Sequence, residues 1–267
     1  MLKDVTLGQF FPGQTPIHKL DPRTKLVLVI VYIVALFLAK WFVSYVVIAA
    51  FLAIVIAMSK IRLKVVLKNL KPLLFIIILT ALLNLFYGQG EPIAQFWIFK
   101  ITKSGIQNAV FMVLRISLLV AGTFMLTYTT SPIALTDGLE SLLSPLKRLH
   151  APVHELSMMM SIALRFIPIL LEETDKIMKA QIARGADFEN GSLIQRAKAM
   201  VPLLVPLFIA AFRRANDLAM AMEARCYRGG EGRTKMKPLV YRKQDYMGYG
   251  VLVAYLVAAV LIGRVLL

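Results

Sequence analysis

Cysteine occurs once, at Cys226, which excludes an intrachain disulfide and any cysteine-built metal cluster. Histidine occurs three times, at His18, His150 and His154. The last two stand four apart, the spacing of a metal pair on one helix face. Pro152 lies between them, however, and no third ligand is near, which argues against a metal site. There is no Walker A sequence. The nearest glycine pair, Gly185 and Gly191, encloses Glu189-Asn190 and is followed by Ser192 with no lysine, so P-loop ATP hydrolysis is excluded for this chain. No G-x-S-x-G nucleophile elbow is present. Glu172-Glu173 opens like the motif of an intramembrane protease, but Ile177 stands where that motif wants Arg and the later membrane-embedded His is missing. The start, Met1-Leu2-Lys3-Asp4, has neither a basic n-region nor a small-residue cleavage site, so the first apolar run is expected to stay in the mature protein.

Acidic residues are also scarce, 15 against 31 Lys+Arg, for a formal charge of +16. In a soluble chain that excess would point to nucleic acid. Here 58% of the 267 residues are hydrophobic and the mean hydropathy is +0.71, against about 45–50% apolar for soluble domains. This excludes a disordered chain, a collagen-like fibre and an ordinary cytosolic enzyme. It makes the membrane, not nucleic acid, the partner of the charge.

A bilayer core of about 30 Å needs roughly 20 apolar residues in a helix. Leu26–Met58 is too long for one span and is read as two helices turning near Lys40. Pro72–Tyr87, Ile106–Tyr128 and Met247–Leu267 complete five. The expected fold is therefore an all-α polytopic membrane protein with about five transmembrane helices. Residues 1–130 form an N-terminal membrane domain of four helices, 131–246 a cytoplasmic or interfacial region, and 247–267 a C-terminal transmembrane helix. With the N-terminus inside, segments 1–25, 59–71 and 131–246 hold 26 of the 31 cations; by the positive-inside rule the N-terminus is cytoplasmic and the C-terminus outside. Arg115 falls inside the fourth span, where an unpaired cation is costly. It reads as a structural pair, as a snorkelling side chain, or as a coupling residue.

The middle region contains the apolar runs Leu156–Leu171 and Ala199–Phe212. The first carries Arg165 and Pro168 and the second Pro202 and Pro206, which makes both awkward as spans. Each runs without a breaker into a charged amphipathic helix, as expected of a rod that passes from the membrane interface into water. Their ends match at an offset of 41 residues: Ala180-Gln181-Ile182-Ala183-Arg184-Gly185 and Ala221-Met222-Glu223-Ala224-Arg225-Cys226. A cation in the last turn favours the negative end of the helix dipole, so capping explains the arginines in part. The other reading is docking, in which small alanines admit a partner surface and Arg makes a bidentate contact there. Methionines cluster in the same helices, among them Met158, Met159 and Met160, and suit either apolar packing or a surface that repacks against several partners.

Four segments carry a family likeness. They are Pro16-Ile17-His18-Lys19-Leu20-Asp21-Pro22-Arg23-Thr24-Lys25, Leu164-Arg165-Phe166-Ile167-Pro168, Ala180–Gly185 and Ala221–Tyr227. In order and over essentially the whole chain, they resemble the transmembrane T component of energy-coupling factor (ECF) transporters. The resemblance implies a bacterial cell-membrane importer of vitamins, or alternatively of cobalt or nickel. Its partners are two ATP-binding-cassette ATPase subunits of the EcfA and EcfA′ type, one S component or several interchangeable ones, and membrane lipid. Catalysis is absent from this chain: no cofactor binds it, and ATP and Mg bind the partner ATPases. By the likeness, the middle rods are coupling helices whose ends Ala183-Arg184-Gly185 and Ala224-Arg225-Cys226 enter grooves of the two ATPases. Met158, Met159, Phe166, Pro168, Pro202 and Pro206 are expected to face the S component, with the prolines kinking the rods between platform and tips. Cys226 departs from the glycine usual in the family, so the second tip is expected to be capped differently, with help from Gly229-Gly230. Asp21 is expected to cap the first helix with Pro22 in its first turn, and Arg23 and Lys25 to anchor it at the inner surface.

Overall fold

The computed structural model describes residues 10–39, 41–86, 92–96, 99–149, 151–188, 192–230, 236 and 238–265. These form two compact units, one of residues 8–139 with 239–267 and the other of residues 140–238. Lys40 and His150 lie outside the described residues, as do Glu189, Asn190 and Gly191.

The first unit holds α1 (Pro22–Leu38), α2 (Phe42–Ser59), α3 (Leu63–Leu70), α4 (Leu74–Phe86), α5 (Lys103–Thr129) and α9 (Lys243–Val265). A short antiparallel hairpin, β1 (Pro92–Phe96) with β2 (Phe99–Thr102), links α4 to α5 and was not expected from the sequence. The third span also begins earlier than expected: α3 leads through a 3-10 turn at Lys71–Leu73 into α4, so the helical path starts at Leu63 and passes Pro72. By length and composition Phe42–Ser59, Leu63–Phe86 and Lys103–Thr129 can each cross a bilayer.

Side-chain ties fix how these helices run. Tyr32 Oη donates to the Leu118 carbonyl (2.7 Å), and Lys25 Nζ to the Thr129 carbonyl (2.8 Å), so α1 and α5 are antiparallel. Tyr45 stacks on Phe111 (5.3 Å between centroids), while Leu52, Ile56, Ala121, Met125 and Tyr128 share one buried cluster, so α2 runs with α5. Tyr255 of α9 joins Tyr32, Leu36, Tyr45 and Ile48 in a second cluster. Outside these seams the helices present exposed apolar side chains, including Phe37, Val46, Ile54, Phe75 and Ile78. In water such a surface would be a liability; in hydrocarbon it is the solvated state.

The cations Arg115 and Lys25 inside the unit are matched to acceptors. Arg115 donates to Tyr45 Oη (2.7 and 3.0 Å) and reaches the Ala39 carbonyl (3.4 Å), tying α5 to the turn between α1 and α2. Its partners are a phenol and a carbonyl, the structural role among the readings offered by the sequence. Lys25 is not a surface anchor as expected. It is buried, and its ammonium donates to His18 O, Thr129 O and Thr130 Oγ1, which replace the water it has lost.

The start of α1 forms a second knot. Asp21 caps α1 by accepting the Arg23 N–H (2.9 Å), with Pro22 in the first turn as expected, and its carboxylate takes the Arg23 guanidinium in a fork (3.0 and 2.9 Å). Arg23 in turn lies 4.0 Å over the Tyr241 ring. Asp245, fully buried in the first turn of α9, accepts the backbone N–H of Asp21 (2.7 Å) and of Arg242 (2.7 Å). The starts of α1 and α9 therefore lie at the same end of the unit, and the two helices run parallel. Burial alone would raise the Asp21 carboxyl, but the Arg23 hydrogen bonds and charge outweigh it and hold it below its ordinary value.

Two outcomes follow from this knot. Asp245→Ala leaves the buried Asp21 N–H and the part-buried Arg242 N–H unpartnered and should cost about 1–3 kcal/mol, read as a lower Tm in detergent, with Asp245→Asn costing less. Because the folded Asp21 carboxyl is lowered, its contribution is complete above the ordinary carboxylate pKa and is lost as pH falls through the folded value. The Tm gap between wild type and Asp21→Asn should be full at neutral pH and close only under acid conditions.

Candidate functional site at two arginine-tipped helix ends

The second unit is built on α7 (Val153–Ala183) and α8 (Leu193–Glu223), preceded by the end of α6 (Pro132–Leu143) and a 3-10 turn, Ser144–Leu149. Ser192 opens α8 with a capping box: its hydroxyl accepts the Gln195 N–H, and the Gln195 side chain accepts the Ser192 N–H. Both helices continue past their prolines without ending, Pro168 in α7 and Pro202 and Pro206 in α8. At 31 residues each they reach about 45 Å. Length and composition alone would let both cross a bilayer, contrary to the expectation that their prolines and charges make them awkward spans. The apolar residues fall in the first part of each helix and the charged ones toward the tip, so the average stays apolar while the ends do not.

Two contacts set the pair's geometry. Glu173 of α7 accepts from Arg214 of α8 (3.0 Å), and Tyr227, just past α8, donates its hydroxyl to the Met158 sulfur of α7 (3.0 Å). Later positions on α7 meet earlier positions on α8, so the helices are antiparallel where they touch and their C-terminal tips point opposite ways. The ion pair links residues separated by the same 41 positions that relate the tips. Each arginine therefore lies equally far beyond it, about 16 Å of helix.

The two tips close with the same pair of backbone bonds. At the first, Gly185 N–H donates to Ile182 O (2.9 Å) and Ala186 N–H to Gln181 O (3.0 Å); at the second, Cys226 N–H donates to Glu223 O (2.8 Å) and Tyr227 N–H to Met222 O (3.0 Å). This is the Schellman arrangement, in which a left-handed residue just past the helix lets the next amides turn back onto the free carbonyls. Gly185 supplies it at φ 87°, and Cys226 at φ 56°. The expectation of a different cap at the second tip is thus overturned. The backbone bonds are worth more than the steric cost of a non-glycine residue in that conformation, about 1–2 kcal/mol. Nothing lies within 4 Å of a Cβ built at Gly185, so its glycine answers to backbone conformation alone.

Capping by backbone leaves the side chains outward. Ala183, Arg184, Gly185, Ala224, Arg225 and Cys226 are all exposed, and among the described residues neither Arg184 nor Arg225 has an ion-pair partner. The six platform residues do not form one surface. Met159 and Phe166 lie two turns apart on one face of α7 and Pro168 on the opposite face; Met158 is half-buried beneath Tyr227. Pro202 and Pro206 share a face of α8. The continuous apolar surface is a row within the expected apolar run Ala199–Phe212: Val201, Leu204, Val205, Phe208 and Phe212, all exposed, with the last two rings 4.6 Å apart. Their spacing of three and four was the available signal.

His154 has a partner other than a metal. Its Nδ1 lies 2.9 Å from Glu140 Oε1, and Ser157 donates to the other oxygen of that carboxylate (3.1 Å). Among the described residues no three His, Cys, Asp or Glu side chains converge. Glu172 is exposed, and Glu173 holds Arg214.

The chain is similar to known proteins over most of its length. The family model described as cobalt transport protein, CbiQ, matches residues 13–236. The energy-coupling factor transporter transmembrane protein EcfT of Ruminiclostridium cellulolyticum is 50% identical over 261 residues, 98% of each chain. The protein of the same name from Thermosediminibacter oceani is 55% identical over 93% of this chain and 94% of its own. The one from Bacillus subtilis is 47% identical over 98% of each.

The two caps predict substitutions of opposite sign. Cys226→Gly should stabilise the second tip by about 1 kcal/mol and Gly185→Ala should destabilise the first by a similar amount. Amide hydrogen exchange at residues 226–227 and 185–186 reads each as a severalfold change in protection.

Proposed function

The chain belongs to the family of energy-coupling factor transporter transmembrane proteins, and from that premise we propose that it is the subunit through which two cytoplasmic ATPases drive a substrate-binding S component in vitamin uptake. The observation that carries the proposal is the pair of identically capped, exposed arginines on arms of equal length. A guanidinium held clear of its own helix offers a planar fork of donors to a carboxylate or carbonyl in a partner groove, and the alanine before each arginine leaves room for the groove wall. Two tips pointing opposite ways suit two partners, one ATPase subunit each. ATP and Mg belong to those subunits. Relatives are named as a transporter's transmembrane protein, which supports a non-catalytic role for this one.

In this reading, closure of the ATPase pair moves the tips, and α7 and α8, locked by Glu173–Arg214, carry the motion as rods. The row Val201, Leu204, Val205, Phe208 and Phe212 receives the S component, in a setting where only differential contact between the two ATPase states shifts its equilibrium. The tips then lie in the cytoplasm, the N-terminus inside and the C-terminus outside. The distribution of cations supports this sidedness, and so does the Asp21–Asp245 tie, which starts α1 and α9 at one end of their unit.

Cobalt or nickel uptake is the second reading, favoured by the description of the matching family model. The relatives' shared name mentions neither a metal nor a vitamin. Identification of the small membrane protein that copurifies separates the two.

Changing Arg184 and Arg225 together to Glu should abolish substrate uptake and loosen the ATPases while membrane insertion stays intact. Normal ATP-dependent uptake by that double variant would falsify the proposed coupling role. Membrane-impermeant thiol reagents should reach Cys226 only from the cytoplasmic side, and less when the ATPases are bound; labelling from outside overturns the sidedness.

A further inference from the structure

The second tip shares the cap of the first and is anchored beyond it. After Cys226 the chain turns again at Gly229 (φ 89°) and returns to the first turns of α7. Tyr227 meets Met158 there, and Gly230 sits so close to His154 that a Cβ on it would fall 2.5 Å from the imidazole Cδ2. The other edge of that imidazole faces Glu140, whose second oxygen takes the Ser157 hydroxyl. His154 and Glu140 are nearly buried, with side chains 13% and 10% exposed. His154 is thus wedged between the end of α6 and the segment that follows the second tip.

These residues occupy the two places where the chain enters and leaves the second unit. Glu140 is the first residue of that unit after α6 crosses into it, and Gly230 lies on the stretch that leaves it at Pro238. A contact at this corner bears on the second tip and on the incoming chain at once.

We infer that His154, held by Glu140 and packed against Gly230, is a positioning residue for the Arg225 tip, tying it to α6 so that displacement of that tip is passed into the chain leading to the membrane helices. The inference rests on the coupling role proposed above and adds to it a division of labour between the tips. Glu140 and Ser157 fix α7 to α6, while Tyr227 and Gly230 fix the second tip to α7. A loosened corner lets Arg225 still occupy its groove while its motion is absorbed locally.

The test uses the assembled transporter in proteoliposomes, with cysteine-free partner subunits and a spin label on Cys226, the sole cysteine of this chain. His154→Ala and Gly230→Ala should make the label more mobile and lower substrate imported per ATP hydrolysed by about tenfold, while the ATPases remain bound. His154→Asn, whose amide nitrogen takes the place of Nδ1, should restore most of the coupling. Tyr227→Phe, which removes only a hydroxyl, gives a milder loss of the same kind and guards against misfolding of the harsher variants. An unchanged label spectrum and import ratio in all of them overturns the inference. So does equal loosening of a label at Ala186→Cys in a Cys226→Ser background, since the effect would then not belong to the second tip. Label mobility reads the anchorage without reference to transport. Failure of the coupling role would show instead as ATPase binding that survives Arg184→Glu with Arg225→Glu.

Discussion

A helix that hands a side chain to another protein must stop without covering it. The last four carbonyls of an α-helix have no partner within the helix, and any side chain recruited to cap them would crowd the groove a partner needs. In this protein the following backbone does the capping. One residue after each arginine adopts the left-handed conformation, and two amides fold back onto the open carbonyls. The arginine is then the last residue before the turn, and its side chain has no structural duty.

The first unit meets the opposite demand, to leave no cation open in a medium without water. Arg115 and Lys25 are costly in hydrocarbon, and both are surrounded by neutral acceptors, phenol and carbonyl oxygens in one case and carbonyl and hydroxyl oxygens in the other. The acids are held back for the ends of helices. Asp21 and Asp245 lie in the first turns of α1 and α9 or next to them, where backbone N–H groups are available to carboxylates. Neutral acceptors along the helices and charged ones at their starts keep the charge near the headgroup level, where its desolvation cost is smallest.

Much of this was legible beforehand. Apolar runs located α1, α2, α4 and α5, and the Ala-Arg repeat located both tips, because hydrophobic length and a short exact motif are local properties. What depended on contacts was not legible. Lys25 reads as a surface anchor from its place at the start of a span, and only the fold brings the Thr129 carbonyl to it across 104 residues. Cys226 reads as a departure from glycine, yet the cap forms around it because the bonds come from the backbone and not from the side chain. The apolar row from Val201 to Phe212 lies in a run that hydropathy marks, and its three-and-four spacing was present in the sequence. Glu140 carried no sequence signal, while Tyr227 and Gly230 were read for the family likeness and for capping; their meeting at His154, which looked like half of a metal pair, depends on the fold.

The symmetry of the tips and the asymmetry of their anchorage belong to the same design. Glu173 and Arg214 join the helices at a point equally distant from both arginines, so equal displacement of the two tips would turn the pair about that point without favouring either arm. Rotation that is balanced in this way does little work on the membrane helices unless one arm is tied to something outside the pair. One such tie runs from the second arm through Gly230 and His154 to Glu140. On the coupling role proposed above, an ion pair that centres the two helices and an imidazole that ties one end of them would together turn symmetric closure of two ATPase subunits into movement with a direction.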